Sequence, residues 1–300
     1  MKALHILRLL IALPFLLLAL APLPGHADAS DSIFTRPKNI YLALGDSLSF
    51  GYQQYKVNAA LATTGTVDPR DFTTGFVDDF TTQLKTLRPA LRTVNFGCPG
   101  ETSGTFITGG CPYPYPLHNS YSGSQLAAAL DFLRHHGQVS PITLDLGAND
   151  LLGLINTCGG IAQTACITAG EPGILATVAT NLTQILAALR QASPRSEIIV
   201  LQLYNPLAVL APSTNAITQP LNAVIAAVAA GAQARLADAF TPFNLAQPQP
   251  QTLCALTLFC TPLHDVHASD AGYQVIAQQF WTASGYSSIN SGERDPETSS

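Results

Sequence analysis

Short runs of consecutive apolar residues alternate along this chain with stretches whose apolar positions recur every three or four residues. Ile40–Leu44, Thr93–Phe96, Ile142–Leu146 and Glu197–Leu203 are short, apolar and in part β-branched, the pattern of strands buried on both faces. A weaker fifth strand is expected near Ala234–Phe240. Gln125–His136 places Leu126, Leu130 and Leu133 on one helical face and has Gly137 as its stop. Ile174–Gln191 repeats Leu175, Val178, Leu182, Ile185 and Leu189 at helical steps, and Pro220–Ala237 and Asp270–Ala283 also read as helices. Alternation of this kind predicts a parallel sheet with helices on both faces. Ligands of such sheets bind beyond the carboxyl ends of the strands. The informative residues are therefore those just after each predicted strand.

The chain ends follow other patterns. Lys2 and Arg8 precede an apolar run from Leu9 to Ala21, and Ala27-Asp28-Ala29 has the small-x-small pattern of a signal-peptidase site. Residues 1–29 are thus expected to be a signal peptide cleaved after Ala29. The run is about 13 residues, short of the roughly 20 that span a bilayer. No later stretch reads as long and apolar enough, so a secreted protein without stable membrane insertion is expected. Residues 30–284 suffice for one well-cored domain, and 285–300, rich in Ser, Glu, Asp and Asn, are expected to be a disordered tail.

Removing the leader takes the net charge from −5 to −6, spread without blocks. There is no basic stripe to bind nucleic acid. All six cysteines fall after the leader in three close pairs, which in an exported protein read as disulfides. Local pairing, Cys98–Cys111, Cys158–Cys166 and Cys254–Cys260, is the simplest connectivity, each bridge restraining one short loop. No spacing is C-x-x-C and the cysteines do not alternate with histidines, which argues against zinc. Nothing in the sequence demands more than a monomer.

Four segments carry candidate chemistry. Gly45-Asp46-Ser47-Leu48 follows the first strand, where a serine can expose its hydroxyl at the sheet edge. If a helix follows, its backbone N–H can point at a developing oxyanion. Asn95 to Ser103 follows the second strand, and Gly100 there can lend an N–H with no side chain in the way. Gly147-Ala148-Asn149-Asp150 follows the third, offering the Asn149 amide as a further donor. His264-Asp265-Val266-His267 precedes the last helix, where a histidine can take the serine proton and return it to a leaving alcohol. Each segment alone also reads as an ordinary turn, cap or surface loop.

Taken together and in this order, across Ile40 to Ala277, the four segments resemble the motif blocks of the SGNH hydrolases, the GDSL esterase/lipase family. The resemblance implies a flavodoxin-like three-layer α/β/α fold with a mainly parallel five-stranded sheet. It implies Ser47 as nucleophile, with the Ser47 N–H, the Gly100 N–H and the Asn149 side chain as oxyanion hole, and His267 as base. No metal or organic cofactor is required, and the partner is a small-molecule or lipid ester. Export, size and cysteine pairs look most like the secreted bacterial esterase and lipase branch.

One position departs from the family. The carboxylate that orients the base usually stands three residues before the histidine, and here that residue is His264. Either Asp265, two residues before His267, turns back onto the imidazole, or a backbone carbonyl near His264 does so and the site is a Ser–His dyad. Asp46, Asp150 and Glu101 read as structural. The activity expected is hydrolysis of carboxylic esters through a Ser47 acyl-enzyme. A carbohydrate O-acetyl esterase and an acyltransferase share every one of these residues, and a non-catalytic binding module keeps the fold alone.

Overall fold

The computed structural model describes residues 36–288. The expected signal peptide and the tail beyond Ser288 lie outside them. In chain order, β1 (Ile40–Gly45) runs into the short helix α1 (Ser47–Phe50), and α2 (Gln54–Thr64) and α3 (Phe76–Leu87) lead to β2 (Arg92–Asn95). Next come α4 (Ser103–Thr108), α5 (Gln125–His135) and β3 (Val139–Asp145), then α6 (Ala148–Thr157), α7 (Thr164–Ala192) and β4 (Ile198–Gln202). The chain continues through α8 (Asn215–Gly231), β5 (Arg235–Asp238) and α9 (Gln251–Leu256) to α10 (Asp270–Ser284).

The five strands form one sheet in the order β2-β1-β3-β4-β5, every neighbouring pair parallel. This is the flavodoxin-like architecture expected. β1 and β3 are buried along their whole length, because helices cover both faces; most of their side chains are apolar, and Ser140, Thr143 and Asp145 on β3 are hydrogen-bonded. α3 and α10 pack together on one side, where Phe76 stacks on Phe280 with centroids 4.8 Å apart. α5, α7 and α8 pack in a row on the other. β1 lies beside β3, yet its chain leaves for β2 on the far side. The crevice between the carboxyl ends of β1 and β3 is therefore the topological switch point of the sheet.

Several boundaries differ from expectation. α8 spans Asn215–Gly231 rather than 220–237, because the chain must turn through Gln233, at φ +52°, to enter β5 at Arg235. α7 begins at Thr164 rather than Ile174 and carries Pro172 in its interior. At 29 residues it is long and apolar enough to cross a membrane by length and composition, which corrects the expectation that no later segment is. Its buried stripe (Val178, Leu182, Ile185, Leu189) is turned instead into the domain, where α7 packs against α4, α5, α6 and α8. Of the residues expected to begin the tail, Tyr286 is fully buried, its ring 6.1 Å from that of Trp281, while Ser287 and Ser288 are exposed.

Candidate active site

Ser47 is the first residue of α1 and follows β1 with only Asp46 between them. Such a sharp exit needs a glycine at position 45, where φ is +143° and any side chain would overlap the carboxyl group of Asp145. Two buried carboxyl groups then pin the turn. Asp46 caps α1, its Oδ1 accepting from Leu48 N at 3.0 Å. Asp145, at the end of β3, accepts from Asp46 N and Ser49 N at 3.2 Å each and from the Ser49 hydroxyl. Burial pushes both carboxyls above the usual carboxylate range, and for Asp145 the neighbouring charge of Asp46 adds to it. The Ser47 hydroxyl donates to Asp46 Oδ1 at 3.4 Å, a long bond that leaves it little committed.

The Gly100 loop follows β2. Gly100 has φ +86°, a left-handed conformation, and a Cβ there would come within 2.8 Å of Pro112. The Cys98–Cys111 disulfide, with Cα atoms 6.0 Å apart, holds the Pro112 segment against it. Cys158 pairs with Cys166 and Cys254 with Cys260, so the six cysteines meet in the three local pairs expected from their spacing.

Asn149 lies in the first turn of α6, after Gly147 at φ +112°. Its amide nitrogen donates to Asp46 Oδ2 at 3.1 Å and to the Glu101 carbonyl at 2.9 Å. Asp150 accepts from Ser103 N and Oγ at 2.9 and 2.7 Å, tying α6 to the start of α4. The serine turn, the glycine loop and the asparagine are thereby linked by side-chain bonds.

His267 arrives from the segment before α10, anchored by Leu258 N donating to its carbonyl at 2.9 Å. Asp265 Oδ1 accepts from both the backbone N (3.2 Å) and Nδ1 (2.5 Å) of His267, while its Oδ2 accepts from Gln54 N at 2.8 Å. A carboxylate two residues upstream reaches the imidazole because it forms an Asx-turn, bonding the N–H two residues on. Burial alone raises the Asp265 pKa. The bond and charge of His267, with the two backbone N–H groups, outweigh it and leave Asp265 below the usual range. His264, at the family's usual carboxylate position, has φ +47° and turns its Nδ1 toward the Phe259 carbonyl at 3.1 Å. The Tyr52 ring packs on the His267 imidazole with centroids 4.7 Å apart.

Ser47, Gly100, Asn149 and His267 all line one cavity of about 450 Å³. Asp265 is buried behind His267. Four contributors have no sequence signal of their own. Gln125 brackets Gly45, taking its N–H at 2.7 Å and donating to its carbonyl at 2.9 Å. Gln54, Asp145 and Tyr52 act through contacts that only the tertiary structure creates. Glu101 is buried as a structural residue, its carboxyl held by Gln125 and Tyr121 at 3.2 and 3.3 Å.

A parallel α/β sheet with this group of residues at its carboxyl edge defines the class of protein: a carboxylic ester hydrolase of the α/β type. The sequence model of the GDSL-like Lipase/Acylhydrolase family matches residues 43–275, and the chain belongs to that family. Among solved structures it is similar to an α/β hydrolase from the metagenome of Lake Arreo, Spain, at 17% identity and TM-score 0.55, covering 85% of this chain and 98% of that one. It is likewise similar to an extracellular lipase of Streptomyces rimosus (18% identity, TM-score 0.55, 82% and 99% covered). An acetylxylan esterase of Geobacillus stearothermophilus matches at 16% identity and TM-score 0.53, with 85% and 96% covered. No curated protein matches in sequence.

Proposed function

We propose that the protein is a secreted serine esterase in which Ser47 forms an acyl-enzyme, His267 is general base and acid, and Asp265 orients His267. The observation that carries this reading is the convergence of Ser47, Gly100, Asn149 and His267, from four separate connections, on one cavity. Ser47 Oγ attacks the ester carbonyl as His267 Nε2 takes its proton. The Asp265 bond to Nδ1 fixes the tautomer that leaves Nε2 free to do so. His267 then protonates the departing alcohol and activates the water that releases the acid.

The N–H groups of Ser47 and Gly100 and the Asn149 amide are the proposed donors to the oxyanion. Asn149 Nδ2 has two acceptors already, Asp46 Oδ2 and the Glu101 carbonyl, so one of its protons must be redirected as charge develops. Only the excess of its bond to the oxyanion over the bond given up contributes selectively to the transition state. Three disulfides, the leader pattern of residues 1–29 and the likeness to an extracellular lipase support export. The test is labelling of the purified protein with a fluorophosphonate probe. Covalent labelling that disappears in Ser47→Ala is expected, and a folded protein that takes no label and turns over no ester overturns the reading.

A further inference from the structure

The cavity beside Ser47 is walled mainly by hydrocarbon. α6 contributes Leu151, Leu152 and Ile155, α8 contributes Ile217 and Leu221, and Ile161 comes from the loop closed by Cys158–Cys166. Most polar side chains on the wall, outside the proposed catalytic group, are engaged with protein. The Asn205 amide donates to Thr214 Oγ1 and Asn215 Oδ1 at 2.9 Å each, and its oxygen accepts from Leu207 N. The Tyr204 hydroxyl donates to the Val266 carbonyl at 3.0 Å, and Gln54 is bonded to Tyr52 and Asn58. The hydroxyl groups of Thr218 and Tyr113 remain, too few to replace the hydration of a sugar. A wall of this kind favours a hydrocarbon chain and penalises a ring of hydroxyls.

A second observation points the same way. Among the described residues the large apolar side chains left exposed are Tyr55, Leu210, Leu245 and Leu263. Each lies in a connection that leaves the carboxyl end of β1, β4 or β5. Tyr55 adjoins Gln54, Leu210 and Leu263 lie three residues from Leu207 and Val266, and Leu245 follows Asn244, which bonds Asn205. All of these partners but Asn244 line the cavity. The exposed large apolar side chains thus belong to the same connections that supply the cavity wall, as suits an ester that is itself poorly soluble.

We propose that this cavity takes the acyl chain of a medium- to long-chain fatty acid ester, so that the substrate class is a lipid ester rather than an acetylated carbohydrate. The assignment rests on Ser47 as nucleophile, since that places the acyl carbon at the cavity's polar end. The test compares kcat/KM for p-nitrophenyl acetate, butyrate, octanoate and decanoate, all below their aggregation concentrations, on protein whose Ser47 labelling has been measured first. Each methylene buried should raise kcat/KM by about two- to fourfold, giving at least about a hundredfold from acetate to decanoate. Ile217→Phe and, as a second variant on another helix, Leu152→Phe fill the half-buried wall. Each should lower the decanoate-to-acetate ratio by about tenfold or more. A kcat/KM that is highest for acetate, or a ratio that both folded variants leave unchanged, overturns the acyl-chain assignment while intact labelling preserves the esterase reading. Loss of labelling in the wild-type protein overturns both.

Discussion

Replacing Asp265 by Asn probes the least conventional part of the site, because the two side chains have the same shape and differ in what their atoms can do. The carboxylate of Asp265 accepts on both oxygens: His267 N and Nδ1 on one, Gln54 N on the other. An amide has a single acceptor oxygen. With that oxygen toward Gln54, the NH2 group faces His267, forces Nδ1 to accept, and moves the imidazole proton to Nε2. His267 then cannot take the Ser47 proton. With the oxygen toward His267, the tautomer survives, but Gln54 N meets an NH2 group and loses a buried bond, at about 1–3 kcal/mol. The anion facing the imidazolium is lost either way.

The first orientation corresponds to the roughly 10⁴-fold fall in kcat seen when a triad carboxylate becomes an amide. The second implies a smaller fall in rate with a measurable loss of stability. The expected result is a decrease in kcat of about 10³–10⁴, measured with an activated ester at pH 7.5 and normalised to active sites by slow fluorophosphonate titration. A thermal melt separates the rate effect from unfolding. A decrease below about tenfold in a folded variant refutes the argument and returns the orienting role to a backbone carbonyl. His264→Asp in the Asp265→Asn background should restore nothing, since His264 points toward Phe259 in a left-handed turn.

Asn149→Ala should lower kcat by more than about tenfold, and by as much as roughly 10²–10³, in a protein that a thermal melt shows still folds; unaltered turnover would remove Asn149 from the oxyanion hole. Gly45→Ala should destabilise the fold by about 3 kcal/mol or more in urea unfolding, because the new methyl meets the Asp145 carboxyl in a backbone conformation that alanine avoids; a loss under about 1 kcal/mol contradicts the close approach. Glu197 is bonded to Arg235 Nε at 2.5 Å, yet burial pushes its pKa up to about 7. Between its ordinary value and about 7 the folded state keeps a proton that the unfolded chain has released, so stability falls as pH rises through that window, by up to about 3 kcal/mol. Glu197→Gln should flatten this dependence, and equal pH 5 to pH 8 differences in variant and wild type would show that Glu197 does not cause it.

The central strands β1, β3 and β4 were legible because burial on both faces makes them mainly apolar runs, while the edge strands β2 and β5, each opening on an arginine, have the weaker pattern. Each of the four main strand predictions falls within a few residues of its element. The helices were less so. α2 buries only Val57, and an alanine- and polar-rich helix with no stripe has no pattern to read. α3, by contrast, has Phe76, Val77, Phe80 and Leu84 at helical spacing, a signal present in the sequence. Ser47, Gly100, Asn149 and His267 stood out as candidates because each follows a strand or precedes the last helix, and the family resemblance supplied the roles proposed for them. The role of Asp265 turned on whether an Asx-turn forms, which depends on Gln54 arriving from another part of the chain to bond its second oxygen. The cavity wall was readable only as an ambiguity, Leu151 and Leu152 fitting either an acyl-chain wall or a core. Leucines in α6 and α8 look the same in sequence whether they fill a core or face a cavity.

Each of the three disulfides closes on itself within a single connection, at sequence separations of 13, 8 and 6, and none ties one strand to another. The Cys158–Cys166 loop, which carries no member of the proposed catalytic group, behaves as a cassette, while the other two hold Gly100 and anchor His267. The segment holding Ile161 can accordingly be exchanged whole with little disturbance to the sheet, whereas the loop closed by Cys98–Cys111 carries Gly100 and must stay. For an engineer, and for natural drift alike, that separates the inheritance of the reaction from the choice of what is fed to it.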